Sequence, residues 1–397
     1  MNFDPLVALN YAAALARPRR VGSGADEAVA AEIEEQLRGW GYQVERQPFT
    51  FSTASEVFLK LFILAGVLLI SALLIWHERI LAVGLLLLVA LFLPLNRRVQ
   101  SAALEQNGRG LKLGQRYTTA NLIATRNRVS TTQVATPATG RNPVSNFPHL
   151  YLVAHYDSKS QRIPLVLRVA LFMLAIIAGL ILVALTLFNV STALYLPIGL
   201  LALAAALPLL FLDAGNNSPG AIDNASSVGL VLHLAEVLAQ RTDWQAKLGL
   251  TLLIPSAEEL TLMGSVAYVT AYAQSLREQD RSGGLYVLNF DGVGVDGDLY
   301  YVGHSHQPQN SDRINLLAHV RSACVDLNLP LKRFGFVGAL FDHIPFAQRG
   351  FDAISLIVVG RASRSVHTPN DSIDQLHVRG FDQAGRVTLN VIDRMIG

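Results

Sequence analysis

The sequence predicts an α/β fold with a mostly parallel central sheet, interrupted by two apolar hairpins, and three observations carry that reading. Short apolar runs suited to buried strands alternate with helical segments. Two blocks, roughly 57–95 and 163–212, are almost without charge. Acidic and imidazole side chains recur just where the strand-like runs stop. Of the 397 residues, 51% are hydrophobic and only 16% charged. That depletion sits in the two blocks, and the rest reads as an ordinary α/β domain.

The first helix is Ala25–Gly41, where Val29, Ile33, Leu37 and Trp40 share a face and Gly41 suits the C-terminal cap. Tyr42–Phe51 follows as a strand, and Ala120–Thr125 as another. Arg128–Phe147 is rich in Thr, Pro, Asn and Ser and reads as a loop. His149–Ala154 is an apolar run of the kind a buried strand needs. Beyond it come helix Asn224–Gln240, strand Leu248–Pro255, helix Met263–Leu276 and strand Leu285–Phe290. Helix Asn310–Leu327, strand Ala353–Val359 and helix Gly380–Ile396 complete the series. Such alternation points to a sheet with helices packed on it.

The charge-free blocks hold four apolar segments, Leu61–Trp76, Ile80–Leu95, Val169–Phe188 and Ala193–Leu212. About 20 apolar residues span a bilayer. The second pair meets that length and the first falls short of it. Each pair forms a hairpin, at 57–96 and 163–212, so residues 1–56, 97–162 and 213–397 lie on one side as a single soluble domain. Near the membrane that side carries Arg46, Lys60, Arg97, Arg98, Arg109, Lys112, Arg116, Lys159, Arg162 and Arg168. The hairpin tips carry Arg79 alone, and the triplet Asn189-Val190-Ser191 lies at the second tip. By the positive-inside rule the soluble domain is expected in the cytoplasm, on an inner (plasma) membrane. Met1–Arg20 lacks the uninterrupted apolar core of a signal peptide.

Several function classes drop out. Net charge is +2 and no basic run interleaves with aromatics, so nucleic acid is not an expected partner. Cys324 is the sole cysteine, which excludes an intrachain disulfide and a thiolate metal cluster. Apolar segments without internal polar residues offer no transport pathway.

Five places carry chemistry. In Val153-Ala154-His155-Tyr156-Asp157, strand alternation would put His155 and Asp157 on one face. A carboxylate behind a metal-bound His fixes its tautomer and raises its basicity. Gly220-Ala221-Ile222-Asp223-Asn224-Ala225-Ser226 precedes a helix, where a plain N-cap by Asp223 or Asn224 is the simpler explanation. Ser256-Ala257-Glu258-Glu259-Leu260 follows an apolar strand, and adjacent buried carboxylates are costly unless paired or metal-bound. Neighbouring side chains diverge, so one of the two carboxylates would bind metal while the other faces a bound water. Asn289-Phe290-Asp291-Gly292 ends another strand, and His367-Thr368-Pro369-Asn370-Asp371 lies near the C-terminus. In open α/β sheets, ligands bind at the carboxyl ends of the strands.

The order and local sequence of these motifs resemble the co-catalytic di-zinc aminopeptidase family, metallopeptidase family 28 of clan MH. The resemblance also covers Arg20-Val21-Gly22-Ser23, Gly41-Tyr42-Gln43-Val44 and Asp342-His343-Ile344-Pro345-Phe346. It implies the three-layer zinc-exopeptidase fold, with the hairpins as foreign insertions. It implies a peptide substrate and two Zn2+: His155 and Asp291 on one, Glu259 and His367 on the other, Asp223 bridging. Glu258 would be the general base and Asp157 the partner behind His155. A non-proline cis peptide after Asp223 is implied as well. Donors of N and O alone suit zinc and need no cysteine.

The sequence departs from that family in one respect. No Tyr lies between Val302 and His367 to stabilise an oxyanion, which leaves His343, His304 or His306 as substitutes. A glutaminyl-peptide cyclase with a single zinc is the rival enzyme, since His155–Lys159 and Asp342–Phe346 resemble that branch. A catalytically inactive membrane receptor or scaffold of the same fold is the rival outside catalysis, and the intact ligand set with Glu258 argues against it. Because the second hairpin enters between His155 and Asp223, peptides at or released from the membrane are the expected substrates.

Overall fold

The computed structural model describes residues 3–126, 147–190, 192–303, 313–335 and 339–397. The chain divides into two compact units. The first comprises Met1–Phe49, Thr118–Ser160 and Asn216–Gly397, and the second Thr50–Tyr117 and Gln161–Gly215.

The first unit opens with helices α1 (Pro5–Leu15) and α2 (Ala25–Gly39). Its sheet is built from β1 (Gln43–Ser52), β2 (Arg116–Thr125) and β3 (His149–Val153). Two-residue strands β4 (Ser160–Gln161) and β5 (Ala214–Gly215) mark the ends of the second insertion. Then come α7 (Ser227–Gln240), β6 (Gly249–Ile254), α8 (Met263–Ala271), α9 (Ala273–Ser282), β7 (Leu285–Phe290) and β8 (Gly297–Gly303). The series ends with α10 (Leu316–Asp326), β9 (Leu331–Arg333), α11 (His343–Ala347), β10 (Asp352–Gly360) and α12 (Val378–Ile396). Eight strands form one sheet in the order β1-β2-β6-β3-β7-β10-β8-β9. The central four run parallel, while β2 and β8 are antiparallel to β6 and β10.

Alternation explains why these strands read as unbroken apolar runs. Leu150, Leu152, Leu250, Leu252, Leu288 and Phe290 enter the larger core. Tyr151, Val153, Leu253, Leu285 and Val287 enter the core on the opposite face. A strand covered on both faces needs apolar residues at every position. Because the central strands are parallel, their carboxyl ends gather along one edge, and that edge carries the site.

Several expectations need correction. Met263–Leu276 is two helices, broken at Tyr272. The helix expected from Asn224 starts at Ser227, because Asp223 and Asn224 hold non-helical backbone angles. His155 and Asp157 lie beyond the end of β3 rather than on it. Helix α1, β8, β9 and α11 were not legible, being short or weakly patterned. The loop expected at Arg128–Phe147, His304, His306 and Ser191 of the triplet fall wholly or largely outside the described residues.

The second unit is helical. It consists of α3 (Ala54–Trp76), α4 (Arg79–Ala103), α5 (Leu165–Leu187) and α6 (Tyr195–Ala206), the last continued by a 3-10 turn through Phe211. The first pair is longer than the sequence indicated, at 23 and 25 residues, because polar flanks join the helices. The fourth segment is shorter: Tyr195–Phe211 falls below the span-length helices, and Pro208 sits in its 3-10 continuation. Ile70, Leu73, Ala82, Leu85, Ala178, Leu182 and Ala202 make the internal core of this unit. Inside it the Tyr195 hydroxyl donates to Leu73 O (3.2 Å) and lies 2.6 Å from Thr186 Oγ1. Long side chains such as Leu68, Ile75, Ile80, Leu167 and Ile177 are exposed.

Candidate metal centre

Each ligand-bearing segment leaves an element at the carboxyl edge of the sheet. His155 follows β3, Glu258 and Glu259 follow β6, Asp291 follows β7, and His367 lies in the turns after β10. Asp223 sits in the kink that precedes α7. The Asp223–Asn224 peptide is cis, as the resemblance implied. Ala257 (φ 58°) and His367 (φ 65°) hold left-handed backbone conformations. L-residues adopt these at a cost of about 1–2 kcal/mol, and such outliers cluster where side chains must be aimed.

Asp223 stands between the two histidines. Its Oδ1 lies 3.2 Å from His155 Nε2, and its Oδ2 lies 3.1 Å from His367 Nε2. His155 Nε2 is also 3.8 Å from Glu258 and 3.9 Å from Asp291. His367 Nε2 is 3.2 Å from Glu259 Oε1. Among the described residues, two groups of potential ligands emerge: His155, Glu258 and Asp291, and Asp223, Glu259 and His367. In each group the donor atoms lie within 4.8 Å of one another. The adjacent carboxylates do diverge, one into each group.

His155 and Glu259 are buried, and Asp223 and His367 nearly so; His155 Nε2, Asp223 Oδ1, Glu259 Oε1 and His367 Nε2 make no protein hydrogen bond of good geometry. Buried atoms of two carboxylates and two imidazoles converging without such bonds form an arrangement that cations resolve. The N and O donors of each group fit a divalent ion.

Electrostatics point the same way. Burial opposes charge on His155, yet Glu258, Asp157 and Asp223 hold its pKa well above the usual range. Burial likewise opposes ionisation of Asp223, but the two imidazoles hold its carboxyl well below. Glu259 falls to about 2: burial works against this, and His367 and Lys159 prevail. Burial lifts Glu258 well above the carboxylate range; His155 opposes, while Glu259, Asp342 and Asp291 add to the rise.

Asp157 lies behind His155 and serves the two glutamates as well. His155 Nδ1 approaches the Asp157 carbonyl at 3.2 Å and the carboxylate at 3.5 Å. The carboxylate also accepts the N–H groups of Glu258 (3.2 Å) and Glu259 (3.3 Å), aiming that pair. Either oxygen keeps the proton on Nδ1 and leaves Nε2 free to ligate. His343 is fully buried at the start of α11, with Nδ1 2.7 Å from Ser355 Oγ. Its nitrogens are not among the converging donors.

Four residues at the site escaped sequence reasoning. Lys159, taken for a membrane-side charge, pairs with Glu259 Oε2 at 2.7 Å. Arg46 is likewise paired with Glu27 and Glu34, and Arg116 with Glu105. Asn224 links the Asp223 kink to β7, donating to Phe290 O (3.0 Å) and accepting from Gly292 N (3.1 Å). Arg19 and Asp371 are wholly buried beneath the same kink.

Residues 134–392, more than half of the chain, match the family described as Peptidase family M28. The chain belongs to that family. This M28 chain is 30% identical over 180 residues to aminopeptidase YwaD of Bacillus subtilis (strain 168), a match covering 42% of the chain. It spans only about a third (36%) of that curated relative's length. Among solved structures it resembles an aminopeptidase from Aneurinibacillus sp. strain AM-1, with TM-score 0.57 and 16% identity over 99% of this chain and 94% of that one. It is similar in fold to the Fimbriiglobus ruber glutaminyl cyclase as well, with TM-score 0.55 and 15% identity over 100% and 96% of the two chains. The mixed α/β architecture with a mostly parallel sheet is thus that of the zinc aminopeptidases.

Proposed function

We propose that the chain is a membrane-anchored zinc exopeptidase, an aminopeptidase that removes N-terminal residues from short peptides. The observation that carries this is the pair of ligand groups meeting at Asp223. His155 and Asp291 would hold one zinc and Glu259 and His367 the other, with Asp223 between them. Bound zinc supplies polarisation of the scissile carbonyl and a lowered pKa for water. Glu258 takes the proton of the attacking water and delivers it to the leaving amine, a role that suits a carboxyl held well above its usual range. Lys159 keeps Glu259 ionised, and Asp157 aims both glutamates.

Zinc content tests the reading. Detergent-purified protein prepared without chelator is expected to hold two zinc ions per chain and to hydrolyse aminoacyl p-nitroanilides. Glu258→Gln should retain the metal and lose the activity. No zinc even after addition, or full activity in Glu258→Gln, would overturn it. Glutaminyl cyclisation is the second reading, favoured by the buried Asp342–Ser265 and His343–Ser355 contacts within the motif that resembles that branch. One zinc per chain, with ammonia released from N-terminal glutaminyl peptides, would decide for it.

The anchor rests on α3, α4 and α5, with mean hydropathies of 2.7, 2.2 and 2.9 over their most apolar windows. Alkaline carbonate should leave the protein in the membrane fraction. Exposed Arg97, Arg98, Arg109, Lys112 and Arg162 support a cytoplasmic active domain on an inner membrane. Protease added to intact spheroplasts should then spare that domain. Since the second insertion enters just beyond His155, membrane-associated peptides are the preferred substrates. Replacing residues 163–212 by a short loop should abolish any preference for lipid-partitioned peptides.

A further inference from the structure

A carboxylate that faces two imidazoles at once must have its backbone fixed in both place and direction. The segment carrying Asp223 gets this from two buried charges rather than from sheet or helix. The N–H groups of Ile222 (2.6 Å) and Asp223 (3.3 Å) donate to the carboxylate of Asp371. The Ala221 N–H donates to the Asp371 carbonyl (3.1 Å). Just upstream, the carbonyls of Pro219 and Gly220 accept from Arg19 Nη1 (2.6 Å) and Nη2 (2.9 Å). Five consecutive residues are thus tied by two residues, four of them through side chains and Ala221 through the Asp371 carbonyl.

Both residues are also tied to another candidate-ligand segment, Arg19 through its side chain and backbone and Asp371 through its backbone. Arg19 Nε donates to the carbonyl of Tyr156 (2.5 Å), between His155 and Asp157, and the Arg19 N–H donates to Ser158 Oγ (3.1 Å). Asp371 closes the turn that follows His367, its N–H bonded to Thr368 O (3.1 Å). Arg19 therefore joins the His155 and Asp223 segments, and Asp371 joins the Asp223 and His367 segments. Gly220 completes the arrangement: at φ 59°, a Cβ there would come within 2.6 Å of Ser158 Cβ and of the Asp223 carbonyl. Buried polar groups must be hydrogen-bonded, and the planar guanidinium fork can serve carbonyls on two strands of chain where an ammonium cannot.

We infer that Arg19 and Asp371 are positioning residues that set the bridging carboxylate of Asp223 between His155 and His367, so that holding a second metal ion depends on them. This rests on the two-metal reading above. The test is zinc titration of chelator-stripped full-length protein in detergent, with a chromophoric competitor, for wild type, Arg19→Lys, Asp371→Asn and the double variant. Thermal midpoints of the stripped proteins are recorded alongside. Partners behind metal ligands typically contribute 10- to 100-fold in affinity. Each single variant is expected to bind the first zinc within about threefold of wild type and the second about 10- to 100-fold more weakly. The double variant should lose little beyond the worse single, since both act through one carboxylate.

Wild-type affinity for both ions in Asp371→Asn and Arg19→Lys would overturn the inference. Equal weakening of both ions, in step with the thermal midpoint, would overturn it in favour of a purely structural role. So would failure of both single variants to fold. A wild-type protein that binds one zinc would instead sink the two-metal reading itself, which separates the two failures.

Discussion

Two helical stretches of similar length show how differently the two units use apolar residues. Ala221–Gln240, which contains the Asp223 kink and α7, is long and apolar enough to cross a membrane, yet 89% of it is buried inside the first unit. Leu165–Leu187 of the second unit is more apolar, with mean hydropathy 2.9 against 1.2, and only 28% of it is covered. Length and hydropathy put both in one class; what covers them separates a core helix from a candidate span. The buried stretch also tolerates a polar break, because Asp371, Arg19 and Asn224 satisfy the backbone and side chains there. The uncovered one holds its single hydroxyl, Thr186, against its own backbone and Tyr195.

The largest expected effect is on polar chemistry beside the covered stretch. Glu258→Gln should lower turnover of an aminoacyl substrate by about 10²- to 10⁴-fold while zinc content holds. A steady-state assay with metal analysis on the same sample checks this.

Next comes a matched pair of truncations. Leu232→Ala in α7 removes a fully buried side chain and should cost about 2–5 kcal/mol in denaturant unfolding. Leu180→Ala in α5, where the side chain is 42% exposed, should cost well under about 1 kcal/mol in detergent. Equal costs would erase the contrast between the two units.

A smaller effect concerns a buried carboxyl away from the metal groups. Burial lifts Asp352 to about 7; its bond from Leu316 N opposes this and Asp280 adds to it. The folded state then binds the proton more tightly than the unfolded state does. Stability should therefore fall as pH rises from about 4 to about 7, by up to about 1.4 kcal/mol per pH unit. Asp352→Asn keeps an acceptor for Leu316 N and escapes that loss. Its thermal midpoint, relative to wild type, should climb between pH 5 and pH 8.

The least consequential change is at the surface. Arg379 and Asp296 form an exposed pair at 2.9 Å, and Arg379→Met should shift stability by only about 0.2–1 kcal/mol.

Much of the site was legible because each ligand follows an element with a strong local signature. His155, Glu259 and Asp291 stand just past apolar runs, and Asp223 stands before a helix; pattern marked the places, and the family resemblance assigned the roles. Arg19 had no such mark, and Asp371 was marked only as the last residue of the His367 motif. Their partners lie about 200 and 150 residues away in the chain and are backbone groups, which carry no residue identity. Lys159 was misread for a related reason: a cation beside an apolar block looks like a membrane-side charge until Glu259 is folded against it. His343 was marked by its motif, and the fold buries it with Nδ1 against Ser355 Oγ.

By itself, the sequence determined the alternation of strands and helices, the two apolar insertions and the inventory of donors that zinc chemistry requires. These follow from periodicity and side-chain type, which are local properties. Only the tertiary structure decided that Lys159 pairs with Glu259, that Arg19 and Asp371 hold the Asp223 segment, and that Ala221–Gln240 belongs to a core. Those outcomes depend on distances between segments remote in the chain, and such distances exist only once the parallel strands have brought their carboxyl ends to one edge.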